Sequence, residues 1–188
     1  SDVCSSDLRV GVFIAVDGVV PMAKMRQQRL RRFKSSSQSS QTGWDRNAIT
    51  PGTAFMGKIR VALEKMIREH GNANWSLSSS DEPGEGEHKL MAYWRTSAPE
   101  GSIAVYGLDA DLILLSLLGS EQLGNPVWLF REEVEKGAVQ YDKDGSEFYE
   151  WFSITELRAW LGTSLPAEDQ RPFVLQYIFA MSVLGNDF

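Results

Sequence analysis

The chain has almost no cysteine and no long apolar run. Cys4 is the single cysteine among 188 residues, so an intramolecular disulfide is impossible. This cysteine usage fits a reducing, intracellular compartment. No apolar stretch is long enough to cross a bilayer, and no internal repeat is visible. These absences exclude a disulfide framework and a membrane-spanning helix within this sequence.

The composition is that of a folded domain. Hydrophobic residues make up 43% of the chain and aromatic residues 11%, which argues against disorder, and the length suffices for one α/β domain with a core. Ser1–Leu8 is the exception, because it resembles the translation of a sequencing-library adapter and lacks the apolar segment of a signal peptide. We therefore expect residues 1–8 to be non-native and residues 9–188 to carry the fold.

Positive charge is concentrated in one short segment. The net charge is −6, yet six of the 19 basic residues lie between positions 24 and 34 with no acid among them. The rest of the chain contains 13 basic and 25 acidic residues. A single basic patch on an otherwise acidic protein predicts a local site for an anion. It does not predict a protein that binds a polyanion over its whole surface.

Acidic residues recur with one spacing at two places. The acids of interest are Asp17, Glu85, Glu87, Asp109, Asp111 and Asp187. Gly86 or Ala110 stands between the members of each pair. Residues two apart in an extended segment point to the same side, so a small central residue lets both carboxylates face one point. Converging carboxylates repel unless cations neutralise them, and oxygen ligands suit hard divalent ions. The pattern predicts an Mg²⁺ or Mn²⁺ site for phosphodiester hydrolysis.

Each acid also has a simpler interpretation. Glu85 and Glu87 could be first-turn acids favoured by a helix dipole, and Asp109 could cap a helix. The joint pattern favours the metal site, because both pairs lie at breaks between elements. His88 could be a ligand or a proton shuttle, but a first-turn helix residue is the commoner case, and it is assigned no role. Asp142 repeats the spacing with Asp144 but is predicted to lie in a surface turn.

Apolar periodicity predicts alternating strands and helices. Strands are predicted over Val10–Val16, Trp75–Ser78, Ile103–Tyr106 and Val127–Phe130. Helices are predicted over Met22–Lys34, from Pro51 to about Glu69, over His88–Arg95, after Asp111, over Ile154–Leu161 and over Pro172–Leu184. Ser35–Asp45 is predicted to be a loop, Lys136–Glu147 to be hairpin-like, and Phe173–Leu184 to be a core helix.

This alternation predicts an α/β fold with a mostly parallel sheet flanked by helices. Ligands of such sheets bind beyond the carboxyl ends of the strands. Asp17 and Asp109 both follow predicted strands, so the topology is expected to bring the acids together.

The basic segment has one polar face. Lys24, Gln28, Arg31 and Arg32 share a face of the predicted helix, roughly opposite Met22, Met25, Leu30 and Phe33. The guanidinium group of arginine matches phosphate oxygens in a bidentate way, and lysine adds a point charge. Most charge runs are solvated faces, but a glutamine embedded among these cations close to Asp17 favours a terminal-phosphate pocket.

Five ordered segments resemble the Xrn family of 5′→3′ exoribonucleases. They are Ala15–Phe33, Asn47–Met56, Pro83–Lys89, Tyr106–Leu112 and Gly185–Phe188, and together they span nearly all of the chain from Arg9 onward. The resemblance implies the N-terminal nuclease domain of that family, with a PIN/flap-nuclease-like fold, acting on 5′-monophosphorylated single-stranded RNA and releasing mononucleotides. It also implies an RNA-decay enzyme of the cytoplasm or nucleus.

Residue roles follow from the same resemblance. It implies that Asp17, Glu85, Glu87, Asp109, Asp111 and Asp187 are catalytic residues that bind two Mg²⁺ or Mn²⁺ ions. It further implies that Lys24, Gln28, Arg31 and Arg32 bind the RNA 5′-phosphate. The family has a further acid upstream of Arg9 and draws a base-stacking aromatic partly from beyond Phe188. We therefore expect a fragment of the domain, truncated at both ends, with little or no activity alone.

Two other functions remain open at this stage. A structure-specific flap endonuclease would share the acids but would not require a 5′-monophosphate. A non-catalytic RNA-binding module of the same fold would need none of the acids.

Overall fold

Helices and short strands alternate along the part of the chain that the computed structural model describes, residues 11–38, 45–71, 74–107, 111–135 and 138–184. The chain divides into two compact units, the first ending at Tyr93 and the second beginning at Trp94. Within the described ranges, no helix has the length and apolar character that crossing a membrane requires.

Two parallel strands organise the first unit. Strand β1 (Val12–Ala15) pairs with β2 (Trp75–Ser78), with Val12 opposite Trp75 and Ala15 opposite Ser78. The predicted bounds of β2 are confirmed. The ring of Phe13 on β1 stacks on the ring of Tyr93 with centroids 4.1 Å apart. Because the strands are parallel, their carboxyl ends lie at the same edge, where Asp17 follows β1.

Two long helices connect these strands. Helix α1 (Met22–Gln38) extends beyond the predicted end, so the first residues of the expected Ser35–Asp45 loop are helical. Serine costs a helix only a few tenths of a kcal/mol relative to alanine, about the size of thermal energy, so a serine run does not force an end. Thr53 caps the N-terminus of helix α2 (Ala54–His70), because its hydroxyl accepts a hydrogen bond from the Met56 N–H. Gly71 caps the other end of the helix.

The apolar side of α1 is open. Met22, Leu30 and Phe33 are all more than half exposed, and Met22 reaches 83%. The helix therefore gains little from apolar burial along this side, although the sequence places its apolar residues there.

Helix α3 (Gly86–Ser97) starts two residues before the predicted His88. Glu85 directly precedes its first residue, and the Glu85 carbonyl accepts the Lys89 N–H at 3.0 Å. The expectation that Glu85 and Glu87 flank an extended residue is wrong, because the helix begins between them.

A three-stranded sheet lies in the second unit. Strand β3 (Ile103–Tyr106) pairs in parallel with β4 (Val127–Glu132). Strand β7 (Tyr149–Ser153) pairs antiparallel with β4, and the sequence did not predict it. Trp151 and Phe152 are adjacent apolar residues, so β7 lacks the strict alternation of apolar and polar residues that marks a half-buried strand, and all its residues except Ser153 are exposed.

Strand β5 (Val134–Glu135) lies just before the predicted hairpin-like segment Lys136–Glu147 and pairs antiparallel with β6 (Ala138–Val139) inside it. Beyond them, the Asp142 carboxylate accepts the N–H groups of Asp144 and Ser146 at 2.9 and 2.8 Å. Gly145 in the same turn has a φ of +79°. The surface turn predicted at Asp142 is therefore confirmed.

Three helices complete the second unit: α4 (Asp111–Leu123), α5 (Ile154–Gly162) and α6 (Ala167–Leu184). Its best-buried apolar side chains are Val105, Leu117, Val127, Ile154 and Val174, drawn from β3, β4 and all three helices. Helix α6 packs against α4 and α5.

Helix α6 is not the fully buried core helix that was expected. Val174 and Ile178, one turn apart, are buried, whereas Phe179, Val183 and Leu184 are at least 70% exposed. Two helices can cover only one stripe of a third helix, and residues on the other side of α6 stay open.

The fold class is mixed α/β. Parallel pairing is present in β1–β2 and in β3–β4, but the strands of the described residues do not form the predicted single, mostly parallel sheet. They form three small sheets, and β4–β7 and β5–β6 pair antiparallel.

Leu117 offers a direct test of the second core. Its side chain is completely buried, so Leu117→Ala removes apolar contacts and leaves a cavity. We expect a loss of about 2–5 kcal/mol in the free energy of unfolding, measured by urea denaturation. The matched control is Leu184→Ala, on a side chain that is 80% exposed, with an expected change within about 0.5 kcal/mol. Equal losses of unfolding free energy in the two variants would contradict the burial of Leu117 in this core.

Candidate metal and phosphate site

The end of β1 is bonded to the beginning of α3. Pairing with the second strand continues through the Val16 N–H and the Ser78 carbonyl at 2.9 Å, and Asp17 comes next. The Asp17 carboxylate accepts the Gly86 N–H at 2.6 Å. A free N–H at a helix start is a favoured partner for an anionic side chain. This bond places the Asp17 carboxylate beside the residue that separates Glu85 from Glu87.

This close approach favours glycine at position 86. A Cβ there would lie 3.2 Å from both the Ala15 carbonyl oxygen and Oδ1 of Asp17. Both distances are shorter than ordinary van der Waals contacts. The small residue between the two glutamates thus serves the approach of the helix to the strand end.

Two backbone hydrogen bonds also join the segment after Asp17 to the segment before Glu85. The Gly18 N–H donates to the Gly84 carbonyl, and the Gly84 N–H donates to the Val19 carbonyl, both at 2.8 Å. A Cβ on Gly18 would overlap the carbonyl group of Glu82. The segment after Asp17 and the segment before Glu85 are therefore held together independently of their side chains.

Glu85 is the most buried acid of the site, with 6% of its surface exposed. Its Oε1 lies 2.8 Å from Nζ of Lys24, and its Oε2 lies 3.3 Å from Nδ1 of His88. A buried carboxylate is costly unless it is paired and hydrogen-bonded. The Lys24 ammonium and the His88 imidazole supply these partners, and Lys24 thereby connects α1 to the start of α3.

Glu85, Glu87 and His88 form the metal-ligand cluster found among the described residues. One ligand atom of each lies within 4.8 Å of those of the other two. The two glutamates therefore converge as predicted, although through a helix start. Carboxylate oxygens are the donors that Mg²⁺ and Mn²⁺ prefer, so this donor set fits such an ion. Asp17 is not part of the cluster, and its carboxylate is bonded instead to the N–H of Gly86, between the two glutamates. His88, which the sequence interpretation left without a role, belongs to the cluster.

The second predicted acid pair is only partly described. Asp111 is the first residue of α4 in the second unit and is half-buried. Asp109 and Asp187 lie outside the described residues. Their part in the site stays a prediction.

The predicted phosphate face begins at the acidic cluster. Lys24 lies on α1 with its ammonium on Glu85, and Gln28 and Arg32 follow it along the helix. The Arg32 guanidinium donates to the Gln28 side-chain oxygen at 3.2 Å, and Arg31 beside it is exposed. A rise of 1.5 Å per residue separates Lys24 from Arg32 by about 12 Å along the axis. Lys24 and Arg32 each make further contacts.

Sequence reasoning missed one cation of the site. Lys89 on α3 donates from Nζ to the carbonyl oxygens of Val16 at 2.8 Å and Ser79 at 2.7 Å. Desolvation lowers the pKa of Lys89, and the charges of Glu82 and Asp17 act in the opposite direction. A lysine next to two acids is normally interpreted as a solvated charge, and no pattern in the sequence points to backbone carbonyls as its partners.

Gly86→Ala tests the close approach at the helix start. The added Cβ must displace the Asp17 carboxylate or the strand end, so we expect the free energy of unfolding to fall by about 1 kcal/mol. The matched control is Gly57→Ala in α2, where a Cβ meets open space. That change should raise the free energy by about 0.5–1 kcal/mol, because glycine destabilises a helix interior. Equal stabilisation of both variants in urea denaturation would contradict the described contact.

Comparison with known proteins gives one family. A family model described as "XRN 5'-3' exonuclease N-terminus" matches residues 5–42 and 36–133. No solved structure matches the chain significantly.

Curated relatives agree with the family model. The chain is 33% identical to "5'-3' exoribonuclease 2" of Candida glabrata, with 93% of the chain and 23% of that protein covered. It is 32% identical to the protein of the same name from Schizosaccharomyces pombe, with 94% and 24% covered. It is 31% identical to "5'-3' exoribonuclease 1" of Saccharomyces cerevisiae, with 94% and 14% covered. The chain spans about a quarter of the length of the first of these relatives. It belongs to the family defined by the N-terminal region of the XRN 5′–3′ exonucleases.

Proposed function

We propose that this chain is part of the nuclease domain of a metal-dependent 5′→3′ exoribonuclease that acts on 5′-monophosphorylated single-stranded RNA. The observation that carries the proposal is the ion pair between Lys24 and Glu85, because it joins a cationic helix face to an acidic cluster. The names of the curated relatives support the same activity. The reaction is hydrolysis of the first phosphodiester bond with release of a mononucleotide.

The acids would hold the divalent ions. Glu85 and Glu87 would contribute from the start of α3 and Asp17 from the end of β1. Asp109, Asp111 and Asp187 are proposed to complete a site for two Mg²⁺ or Mn²⁺ ions. Such a pair of ions, when bound, activates water and stabilises the leaving oxygen of a phosphodiester. The protein's own part would be to hold Asp17 at the start of α3, where Glu85 and Glu87 lie, with the Gly86 N–H, Lys24 and Lys89 offsetting the repulsion between these acids.

The cationic face of α1 would bind the 5′-phosphate. A terminal phosphate carries about −1.5 to −2 charges at neutral pH, whereas a 5′-hydroxyl carries none. Gln28 holds the Arg32 guanidinium by a hydrogen bond, which orients its donors before substrate arrives. Lys24 begins this face while contacting Glu85, so a phosphate bound there lies at a set distance from the acids. A set distance between a captured end and the hydrolytic site gives products of one nucleotide.

The proposed architecture is a PIN/flap-nuclease-like α/β domain. In such a fold, acids at the carboxyl ends of parallel strands meet at one edge. The parallel pairs β1–β2 and β3–β4, with Asp17 after the first strand, support it. An RNA-degrading enzyme of this kind is proposed to work in the cytoplasm or nucleus.

Product analysis tests the activity. Single-stranded RNA with a 5′-monophosphate or a 5′-hydroxyl is incubated with Mg²⁺ or Mn²⁺ and the protein encoded by the full open reading frame that carries this chain. We expect mononucleotides from the monophosphate RNA, lost in Asp17→Asn by at least about 100-fold because a carboxylate ligand is removed. The control Asp142→Asn removes one charge from a surface turn and should change the rate less than about twofold.

Other products would contradict the proposal. Cleavage that ignores the 5′ end would indicate a flap-type endonuclease. RNA binding without any cleavage would indicate a non-catalytic module.

Arg31→Gln tests the phosphate face separately. Because Arg31 is exposed on that face, the change should leave the fold intact and reduce the preference for 5′-monophosphate over 5′-hydroxyl RNA by about 10–100-fold. Arg68→Gln, on the exposed surface of α2, is the matched control and should keep the preference. Competition binding with the two short RNAs measures the ratio. An unchanged ratio in Arg31→Gln would remove the face from the proposal.

A further inference from the structure

Lys89 connects three elements of the first unit through one ammonium group. The side chain starts on α3, and its Nζ donates to Val16, directly after β1, and to Ser79, directly after β2. The two bonds measure 2.8 and 2.7 Å and reach carbonyls 73 and 10 residues away in sequence. One side chain therefore ties the ends of both parallel strands to the helix.

These carbonyl partners stand next to the acids. Val16 is joined by its peptide bond to Asp17, and its N–H pairs with Ser78. Lys89 itself lies two residues after Glu87 on the same helix. Any movement of α3 along the strand end would break the Lys89 bonds together with the bond from the Gly86 N–H to the Asp17 carboxylate.

An ammonium suits this place better than a neutral side chain. It offers three donors, of which two meet carbonyl oxygens here, and no other residue type of similar shape can donate to both. Its positive charge also stands near Asp17 and Glu82, so it reduces the repulsion that builds up around Asp17.

We propose that Lys89 is a positioning residue that sets the separation between Asp17 and the Glu85–Glu87 pair. The inference rests on the proposed function, since the separation matters only if these acids share a divalent ion. Lys89 acts through the backbone and touches neither the substrate nor the reacting atoms in this account.

Chemical rescue gives a sharp test, because Cys4 is the only cysteine of the chain. In a Cys4→Ser background, Lys89→Cys is alkylated with iodoacetamide to give a neutral side chain, or with 2-bromoethylamine to give an ammonium of lysine's length. The matched control is Lys65→Cys, treated in the same two ways, on the exposed face of α2. Two quantities are measured in the 188-residue chain: the Mn²⁺ affinity and the rate of hydrogen exchange at the Gly86 amide.

The neutral side chain at position 89 should weaken Mn²⁺ binding by about tenfold or more, as loss of an outer partner of metal ligands does. It should also speed Gly86 exchange by about tenfold, with the amides of α2 unaffected. The ammonium should restore both quantities to within about threefold, and neither treatment should matter at position 65. Unchanged Gly86 exchange, equal acceleration across the first unit, or failure of the ammonium to restore would overturn the inference.

Failure of the proposed metal site is a separate outcome. It would show as Mn²⁺ binding that Glu87→Gln leaves unchanged. Gly86 exchange does not involve Mn²⁺, so it still decides whether Lys89 positions the helix start against Asp17.

Discussion

The hydrogen bond between the Gly86 N–H and the Asp17 carboxylate is the constraint on which the site depends. Gly86 lies between two glutamates, so holding it against the strand end keeps the start of α3, with its cluster of Glu85, Glu87 and His88, next to Asp17. The negative charges of Asp17, Glu85 and Glu87 repel one another when these residues are held close together. This repulsion is offset by a helix start with free N–H groups, by the backbone contacts of Gly18 and Gly84, and by the ammonium groups of Lys24 and Lys89.

The ion pair between Lys24 and Glu85 also connects the predicted phosphate face to the acidic cluster. The buried Glu85 carboxylate requires a cation, and the cation that meets it is the first residue of the predicted phosphate face. One ion pair thus fixes where a captured RNA end would stand relative to the acids.

Local sequence patterns predict several of these elements and site residues. A short apolar run predicts the bounds of β3, whereas β2 is poorly marked in the sequence and is expected because a strand should precede the Glu85–Glu87 turn. Asp17 and Glu85 stand out because both lie at breaks between elements. The helix start at Gly86 and the role of Lys89 were not predictable, since both depend on contacts with residues more than 60 positions away. Strand β7 was missed because its exposed residues show no alternation, and the exposure of α6 depends on how many helices cover it.

Paramagnetic broadening by Mn²⁺ shows whether a divalent ion binds where Asp17, Glu85 and Glu87 lie. Mn²⁺ is added in substoichiometric amounts to the ¹⁵N-labelled chain, and amide signals near a bound ion weaken first. We expect the amides of Gly18 and Gly86 to weaken before that of Gly145, which lies in the acidic turn after Asp142. Weakening at Gly145 first, or equal weakening at all three, would contradict a divalent-ion site formed by Asp17, Glu85 and Glu87.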